Sequence, residues 1–507
     1  MVHSFVSPFL IEEERPLWYN KQYGERVMGK LSKYQAPSLK DARKRITKDT
    51  NHIYYEFNDE YKDLGKGKTY HLKTYGCQGN LADSEKISGL LEAMGYTKTD
   101  SDIDSDVIIF NTCAIRENAE NRVFGELGRI KSLKKARPGM IMALCGCMAQ
   151  EEGVVEEIKK KYHQVDIVFG THNIHMLPSY IASIYKKRSR IIDVLSFEGD
   201  IIEGLPQIHD HPKKAWVNIM YGCDEFCTYC IVPYTRGKER SRLPNDIIKE
   251  VEELVKKGYV EVTLLGQNVN AYGKDFTDMN YTFSNLLEDL SKTNIKRIRF
   301  TTSHPRDLDD ETIKVMGKYE NIMPHLHLPV QSGSNKVLKK MNRKYTKEEY
   351  LEKVEKLRKY VPGISITTDI IVAFPGEEEE DFLETLDLVK KAGFEGAYTF
   401  IYSPRAGTPA TTFPNPLTEE EKKERLLKLN DLINEGFYEG NKRFEGEVVE
   451  VLVDGPSDKD PTMLTGYTKH EKVVNFKGDE SLIGKFVNVK ISKAYSWHLR
   501  GEIVEDS

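Results

Sequence analysis

The chain has 507 residues, 39% of them hydrophobic and 30% charged, with a formal net charge of -5. This length exceeds one ordinary core, so we expect roughly two to four domains. No apolar run of about 18 residues is long enough to cross a membrane, and Pro8 together with the acids after it makes the N-terminus unlike a signal peptide. We therefore predict a cytoplasmic protein that spans no membrane. The negative charge means that any nucleic-acid surface is a local patch.

The first two predicted segments are an extension and an α/β domain. Residues 1–66 mix aromatic and charged residues with little periodicity, and we interpret them as an extension of unassigned role. From 67 to 187, strand and helix patterns alternate, with helices expected near 80–94 and 117–136. The predicted strands are 69–75, 107–110, 140–144 and 166–169. This alternation predicts a doubly wound parallel sheet.

Cysteines lie at three equivalent points of that sheet. Cys77, Cys113 and Cys147 each follow a predicted strand, and functional groups in such sheets gather outside the carboxyl ends of the strands. They are candidates to hold a metal cluster together. The alternative is three buried cysteines that act as small hydrophobic residues. Cys145 leaves the ligand set open, because residues two apart in a strand point to the same face.

A predicted linker, 188–212, leads to a longer run of strand and helix patterns at 213–440. Gly199, Gly204, Pro206 and Pro212 interrupt the periodicity of the linker. The strands predicted beyond it are 215–221, 259–265, 297–302, 325–330, 365–374 and 397–402. Six such units are too few for a closed eight-stranded barrel, so we predict a partial (βα)6 barrel with its chemistry at the strand C-termini.

The loop after the first of these strands carries Cys223, Cys227 and Cys230. Three thiolates would leave one iron of a 4Fe-4S cluster free, which is where chemistry would occur. The alternative is a structural zinc site, which is normally closed by four ligands. Because no cysteine follows Cys230, His209 or His211 would then supply the fourth ligand.

The basic run at 235–242 follows this loop directly. We interpret it as a binding site for phosphate or for a carboxylate of the cofactor, with a solvated approach to the next helix as the alternative.

At 441–507, five short strand patterns predict a small antiparallel β-barrel. Tyr467, Phe476, Tyr495 and Trp497 would offer stacking surfaces there, although most aromatics of so small a barrel belong to its core.

Residues 221–237, Tyr-Gly-Cys-Asp-Glu-Phe-Cys-Thr-Tyr-Cys-Ile-Val-Pro-Tyr-Thr-Arg-Gly, resemble the methylthiotransferases of the radical S-adenosylmethionine (SAM) superfamily. Gly-Cys-Gln-Gly-Asn at 76–80, Asn-Thr-Cys-Ala-Ile-Arg-Glu at 111–117 and Gly-Cys-Met-Ala-Gln at 146–150 resemble that family's N-terminal cysteine motifs. The resemblance implies two 4Fe-4S clusters, with Cys147 as a ligand and Cys145 in the core. It also places SAM near Tyr229, Gln267, Ser303 and Gln331, and implies a C-terminal TRAM domain.

The function implied by the resemblance is methylthiolation of C2 of N6-isopentenyl-adenosine at position 37 of tRNA, in the anticodon loop. The cluster at Cys223, Cys227 and Cys230 would deliver the electron that cleaves SAM, and the other cluster would present the sulfur. One alternative is a sister methylthiotransferase that acts on threonylcarbamoyl-adenosine in tRNA or on a ribosomal-protein aspartate. A more distant one is a non-catalytic iron-sulfur protein that binds RNA or transfers electrons. The sequence identifies neither the sulfur donor nor the electron donor.

Overall fold

The computed structural model describes residues 50–114, 117–194 and 200–504, with the backbone alone at 117–119. Positions 1–49 of the predicted extension and 195–199 of the predicted linker therefore lie outside the described residues. The described residues between 50 and 208 form one compact unit together with Tyr234–Arg236, and we call it the N-terminal unit. Residues 209–233 and 237–504 form the other, the C-terminal unit. The domain limits given above stay predictions.

The N-terminal unit alternates strands and helices, as its sequence predicts. Its strands are β1 (His52–Tyr54), β2 (Thr69–Tyr75), β3 (Thr97–Lys98), β4 (Val107–Thr112), β5 (Ile141–Gly146), β6 (Ile167–Phe169), β7 (Ile191–Asp193) and β8 (Ile201–Glu203). Its helices are α1 (Gln78–Ala93), α2 (Glu117–Ala136), α3 (Glu152–Lys161) and α4 (Leu177–Lys187). Strands β2 to β7 form one parallel sheet in the order β3-β2-β4-β5-β6-β7, and β1 pairs with β8 separately.

Side chains of the central strands are buried on both faces of this sheet. In β4, Val107 and Ile109 belong to the core that includes residues of α1 and α4, whereas Ile108 and Phe110 belong to the core that includes residues of α2 and α3. This separation follows from the two-residue side-chain period of a strand. It explains why the sequences of β4 and β5 are largely apolar and do not alternate between apolar and polar residues. The prediction of a doubly wound sheet is confirmed.

The strand order reverses between β2 and β4. The chain passes from β2 outward to β3 and then returns to the other side of β2 to form β4, after which the strands follow in sequence. The C-terminal ends of β2 and β4 therefore border the crevice at a topological switch point, where open α/β sheets usually bind ligands.

The C-terminal unit contains the predicted partial barrel. Its strands here are β9 (Lys214–Asn218), β10 (Met220–Tyr221), β11 (Arg240–Ser241), β12 (Glu261–Leu265), β13 (Arg297–Phe300), β14 (His325–His327), β15 (Ser365–Val372) and β16 (Gly396–Ile401). The helices are α5 (Val232–Thr235), which runs into the N-terminal unit, α6 (Pro244–Lys256), α7 (Phe283–Ser291), α8 (Asp310–Lys318), α9 (Asn335–Lys340), α10 (Lys347–Tyr360), α11 (Glu379–Ala392) and α12 (Glu419–Lys442). The strands and helices pack around one large apolar core.

The barrel strands pair as two parallel sheets, β13-β12-β9 and β14-β15-β16. Between β13 and β14 the structure shows only an isolated bridge from Ile298 to Ile322. Pro324 stands directly before β14 and has no N–H to donate to a ladder, which explains the break in pairing. The order from β9 to β16 is that of a partial barrel.

The C-terminal barrel consists of β17 (Val448–Pro456), β18 (Leu464–Thr468), β19 (Val473–Phe476), β20 (Phe486–Ala494) and β21 (Leu499–Ile503). It closes in the order β17-β18-β19-β21-β20, and β19 and β21 are parallel. A ring of five strands cannot alternate direction throughout, so one parallel pair is unavoidable. Arg297 and Arg299 of β13 donate to the carbonyls of Tyr467 and Thr468 at 3.0 and 2.8 Å. Within the described part of the chain, no helix is long and apolar enough to cross a membrane.

Candidate functional site

The three N-terminal cysteines follow three adjacent strands. Cys77 caps the start of α1 after β2, Cys113 directly follows β4, and Cys147 begins a 3-10 helix, Cys147–Gln150, after β5. Because β2, β4 and β5 are neighbours in a parallel sheet, the three residues lie along one edge of it. This edge contains the topological switch point.

The thiols of this edge are close enough to affect one another. A hydrogen bond from the Cys113 thiol lowers the pKa of Cys77 to about 5, against the effect of burial and with help from the charge of Arg236. Buried amides fix the surrounding backbone: Asn80 donates to the Asn111 side chain at 3.2 Å, and Asn111 donates back to the Asn80 carbonyl at 2.8 Å. Cys77 therefore favours the thiolate, the form that binds metal, whereas burial raises the pKa of Cys147.

Cys145 lies in the core on the face of the sheet that packs against α1 and α4. It shares an apolar cluster with Ile141 and Ala143 of the same strand, and burial raises the pKa of its thiol well above the usual range. Gly146 ends the strand with a φ of 93°, and a Cβ there would lie 2.3 Å from the Thr112 carbonyl oxygen. The two-residue alternation of the strand therefore does not extend to Cys147.

Arg236 of the basic run lies within the N-terminal unit. Its Nε donates to the Cys147 sulfur at 3.2 Å, and its Nη2 bonds Asp83 Oδ2 at 2.7 Å. Arg236, Arg240 and Arg242 are only 4 to 6% exposed. The alternative of a solvated approach to a helix is wrong for these three residues, because buried guanidinium groups require fixed acceptors.

In the C-terminal unit, the loop from Cys223 to Cys230 follows a tight turn at Gly222. Gly222 has a φ of 80°, and a Cβ there would lie 1.9 Å from the Lys238 carbonyl oxygen, so the position requires glycine. The amide of Cys223 donates to the Gly237 carbonyl at 3.0 Å, and that of Cys230 donates to the Cys227 carbonyl at 3.0 Å. These bonds curl the backbone so that the cysteines share one short loop.

Two residues that follow α9, Asn342 and Arg343, contact the loop from Cys223 to Cys230. Asn342 donates from its amide to the carbonyls of Glu225 and Phe226 at 3.1 and 3.0 Å. The Arg343 guanidinium donates to the Cys227 sulfur at 3.5 Å. Neither residue is recognisable as a site residue from the sequence, because only the folded chain brings 342 and 343 next to this loop.

Three of the four residues predicted to contact SAM differ in how the structure holds them. Gln267 accepts a bond from the Gly222 amide at 2.5 Å through Oε1, and the Tyr229 ring packs edge-on against Phe374 with centroids 6.3 Å apart. The Ser303 hydroxyl is buried and has no hydrogen-bond partner among the described residues. An unpaired buried hydroxyl costs free energy, and a bound ligand would satisfy it.

Strained backbone collects at this end of the barrel. Phe226, Thr302, Gln331 and Ala373 have φ between 48 and 70° although none is glycine. Thr302, Gln331 and Ala373 follow β13, β14 and β15 near their C-terminal ends. Non-glycine residues held in this region of φ cluster at ligand sites, where the surrounding structure maintains the strain. The strain and the unpaired Ser303 hydroxyl fit a bound cofactor here.

Glu225, His304 and Asp307 form a buried polar group beside the same loop, with ligand atoms within 4.8 Å of one another. Arg306 forms ion pairs with both carboxylates, and Lys274 with Asp307. Burial raises the pKa of Glu225 and lowers that of His304 well below its usual range. With two cations already paired to it, the group is poorly suited to a metal cation.

The histidines of the zinc alternative lie elsewhere in the C-terminal unit. His211 Nε2 is 3.0 Å from Asp454 Oδ1, and its Nδ1 accepts from the amides of Lys213 and Lys214 at 3.0 Å. The His209 ring packs edge-on against Tyr259, with centroids 5.2 Å apart. Both histidines therefore have other partners, which argues against a zinc site at the loop.

The aromatics predicted as stacking surfaces divide between core and surface. Phe476 is fully buried in the small barrel, whereas Trp497 is 63% exposed and packs on Phe437 with centroids 4.4 Å apart. Tyr495 stacks on His498 at 4.6 Å. Trp497 therefore offers the most accessible ring of the four.

Known protein families match three stretches of the chain. Residues 69–170 match an uncharacterized protein family, UPF0004, residues 217–389 match the radical SAM superfamily, and residues 442–504 match the TRAM domain. The first match contains Cys77, Cys113 and Cys147, and the second contains Cys223, Cys227 and Cys230.

Curated relatives match nearly the whole chain. The tRNA-2-methylthio-N(6)-dimethylallyladenosine synthase of Bacillus cytotoxicus is 55% identical over 93% of this chain and 93% of its own. The synthases of the same name from Bacillus subtilis and Geobacillus kaustophilus are 55 and 53% identical over 94% of this chain, and over 93 and 90% of their own. The chain belongs to the tRNA-2-methylthio-N(6)-dimethylallyladenosine synthase family, within the radical SAM superfamily.

Proposed function

We propose that this chain methylthiolates C2 of N6-isopentenyl-adenosine at position 37 of tRNA. The observation that carries the proposal is the identity of about 55% over 93% of the chain to synthases named for that product. A nucleotide beside the anticodon lies in a single-stranded loop, so it can be splayed into a pocket at modest cost. The partner is therefore tRNA, recognised at its anticodon loop, and the compartment is the cytoplasm.

The proposed cofactors are two 4Fe-4S clusters and SAM. Cys77, Cys113 and Cys147 would hold one cluster, and Cys223, Cys227 and Cys230 the other. When bound, these groups supply the one-electron and sulfur chemistry that the unactivated C2–H of adenine requires and that side chains do not provide. Three protein ligands for each cluster leave one iron open to an exogenous group.

The chain's own residues would position these groups. Tyr229, Gln267, Ser303 and Gln331 are the proposed SAM contacts, of which Ser303 has an unsatisfied hydroxyl and Gln331 a strained backbone. The Gly222 turn and the bonds from Asn342 would keep the cysteine loop in one conformation. Preorganised ligands of this kind lose little entropy when the cofactor binds.

The test is an anaerobic reaction of reconstituted protein with SAM, dithionite and tRNA that carries isopentenyl-adenosine. Digested tRNA should show the methylthio mass increment on the modified adenosine, together with 5'-deoxyadenosine. A matched reaction with threonylcarbamoyl-adenosine tRNA tests the sister substrate. An increment on that tRNA alone would overturn the proposed substrate. Absence of 5'-deoxyadenosine with every substrate would overturn the enzyme class.

A further inference from the structure

In each cysteine trio, a buried arginine donates to a cysteine sulfur. In the N-terminal unit Arg236 contacts Cys147, and in the C-terminal unit Arg343 contacts Cys227. The two arginines are 5 and 8% exposed. A guanidinium group stays charged in a protein, so each site keeps a fixed positive charge beside a group of thiols.

Arg236 is fixed between a carboxylate and a sulfur. Its Nη2 bonds Asp83 Oδ2 at 2.7 Å, and its Nε donates to Cys147 at 3.2 Å. Asp83 is 3% exposed, so the ion pair is buried and the guanidinium has little freedom to turn away. A Cβ on Gly79 would lie 3.6 Å from both the Arg236 guanidinium carbon and the Cys77 sulfur, which places Cys77 near the same cation.

Arg343 is fixed by neutral groups instead. Its Nη2 donates to the Pro329 carbonyl at 2.9 Å, its Nε to the Tyr345 hydroxyl at 2.9 Å, and its Nη1 to the Cys227 sulfur at 3.5 Å. Within the described part of the chain, Arg343 forms no ion pair with a carboxylate. A buried cation without an ion-paired carboxylate is costly, and an anionic thiolate-bound cluster would supply the paired charge.

We propose that Arg236 and Arg343 are positioning residues, each of which donates an N–H···S bond to one cluster and raises the reduction potential of that cluster. The physical reason is that hydrogen bonds to the sulfurs and nearby positive charge stabilise the reduced, more negative state. Asp83 forms an ion pair with Arg236 and offsets part of its charge, whereas Arg343 forms no ion pair among the described residues and interacts with the Glu225 carboxylate only at longer range. Arg343 therefore has the larger effect of the two.

This inference rests on the proposed cluster ligands, so the test isolates each cluster in the full-length chain. Replacing Cys223, Cys227 and Cys230 by alanine leaves the N-terminal trio, and replacing Cys77, Cys113 and Cys147 leaves the C-terminal one. Arg236→Gln, Arg236→Lys, Arg343→Gln and Arg343→Lys are introduced into both backgrounds and into the wild-type chain. After anaerobic reconstitution, iron content and the midpoint potential from an EPR-monitored titration are measured.

Arg236→Gln should shift the potential of the N-terminal cluster to more negative values and leave the other cluster unchanged. Arg343→Gln should do the reverse, with a larger shift. Each variant is thus the matched control of the other. The lysine variants keep the charge and should recover most of each shift, which a role in packing alone would not produce.

Three results would overturn the inference. They are unchanged potentials in both glutamine variants at wild-type iron content, equal shifts of both clusters in either variant, and lysine variants that shift as far as glutamine. If a glutamine variant fails to retain iron, the lysine variant decides: a potential near wild type supports the inference, and loss of that cluster as well contradicts it. Failure of the ligand assignment is distinguishable, because one of the backgrounds with both arginines intact would then bind no cluster.

Discussion

The two cysteine trios are brought together by opposite routes. Cys223, Cys227 and Cys230 lie on one loop whose backbone bonds bring them together, so local sequence determines most of that site. Cys77, Cys113 and Cys147 are distant in sequence and meet only because β2, β4 and β5 are neighbours in one sheet. The trio on the loop depends on a local turn, whereas the other trio depends on the order of strands in the sheet. Substitutions should therefore disrupt one trio without disrupting the other.

The largest expected effect is that of Cys223→Ala. Loss of this ligand should reduce 5'-deoxyadenosine formation from SAM to background, because only the cluster on the loop is proposed to bind SAM. The measurement is chromatography of the products after reaction with dithionite and substrate tRNA. Formation of 5'-deoxyadenosine at the wild-type rate would contradict the division of roles between the trios.

Cys147→Ala should separate cleavage of SAM from formation of the methylthio product. SAM cleavage should persist while the methylthio product falls to background, because the altered cluster is the proposed site of sulfur transfer. The measurement is mass spectrometry of digested tRNA beside the assay for 5'-deoxyadenosine. A variant that still forms the methylthio product would show that Cys147 is not required.

Substitution of the glycine before Cys223 or before Cys147 should disturb the backbone of one cysteine trio and leave the other intact. Gly222→Ala and Gly146→Ala each add a Cβ that would lie within 1.9 and 2.3 Å of a carbonyl oxygen, at a φ that favours glycine. Each variant should lose roughly half of the iron, and each from its own cluster. A Cβ on Gly128, within α2, meets nothing within 4 Å, so Gly128→Ala is the control and should keep all of the iron. Equal loss from both clusters in either variant would count against separate sites.

Cys145→Ala should have the smallest effect. The side chain lies in the core beside Ile141 and Ala143, so its removal should cost about 1 kcal/mol of stability with no loss of iron or activity. Denaturant unfolding and iron analysis provide the measurements. Loss of the N-terminal cluster in this variant would make Cys145 a ligand.

Much of the architecture was predictable because strands and helices leave local periodic patterns. The strand at 69–75 has the predicted limits, and the closed C-terminal barrel follows from its short strands. The burial of Arg236 was not predictable from a run of bases, since a charge pattern does not reveal a distant partner such as Asp83. Arg343 gave no sequence signal, because it meets Cys227 only after α9 folds against the loop.

Cys147 shows a different limit of prediction from sequence. Alternation in a strand left Cys145 and Cys147 equivalent, and only the positive φ of Gly146 separates them. A glycine before a cysteine is a weak hint of such a turn, because glycine also occurs in many ordinary loops. The family resemblance supplied the distinction that the residue pattern alone left open.

The most direct test of two separate three-cysteine sites is the iron and sulfide content of the reconstituted chain, measured with Mössbauer spectra. The wild-type chain should hold about eight irons, and each triple-alanine variant about four, all as 4Fe-4S clusters. A triple variant that keeps the wild-type content, or one that loses all of its iron, would contradict the account.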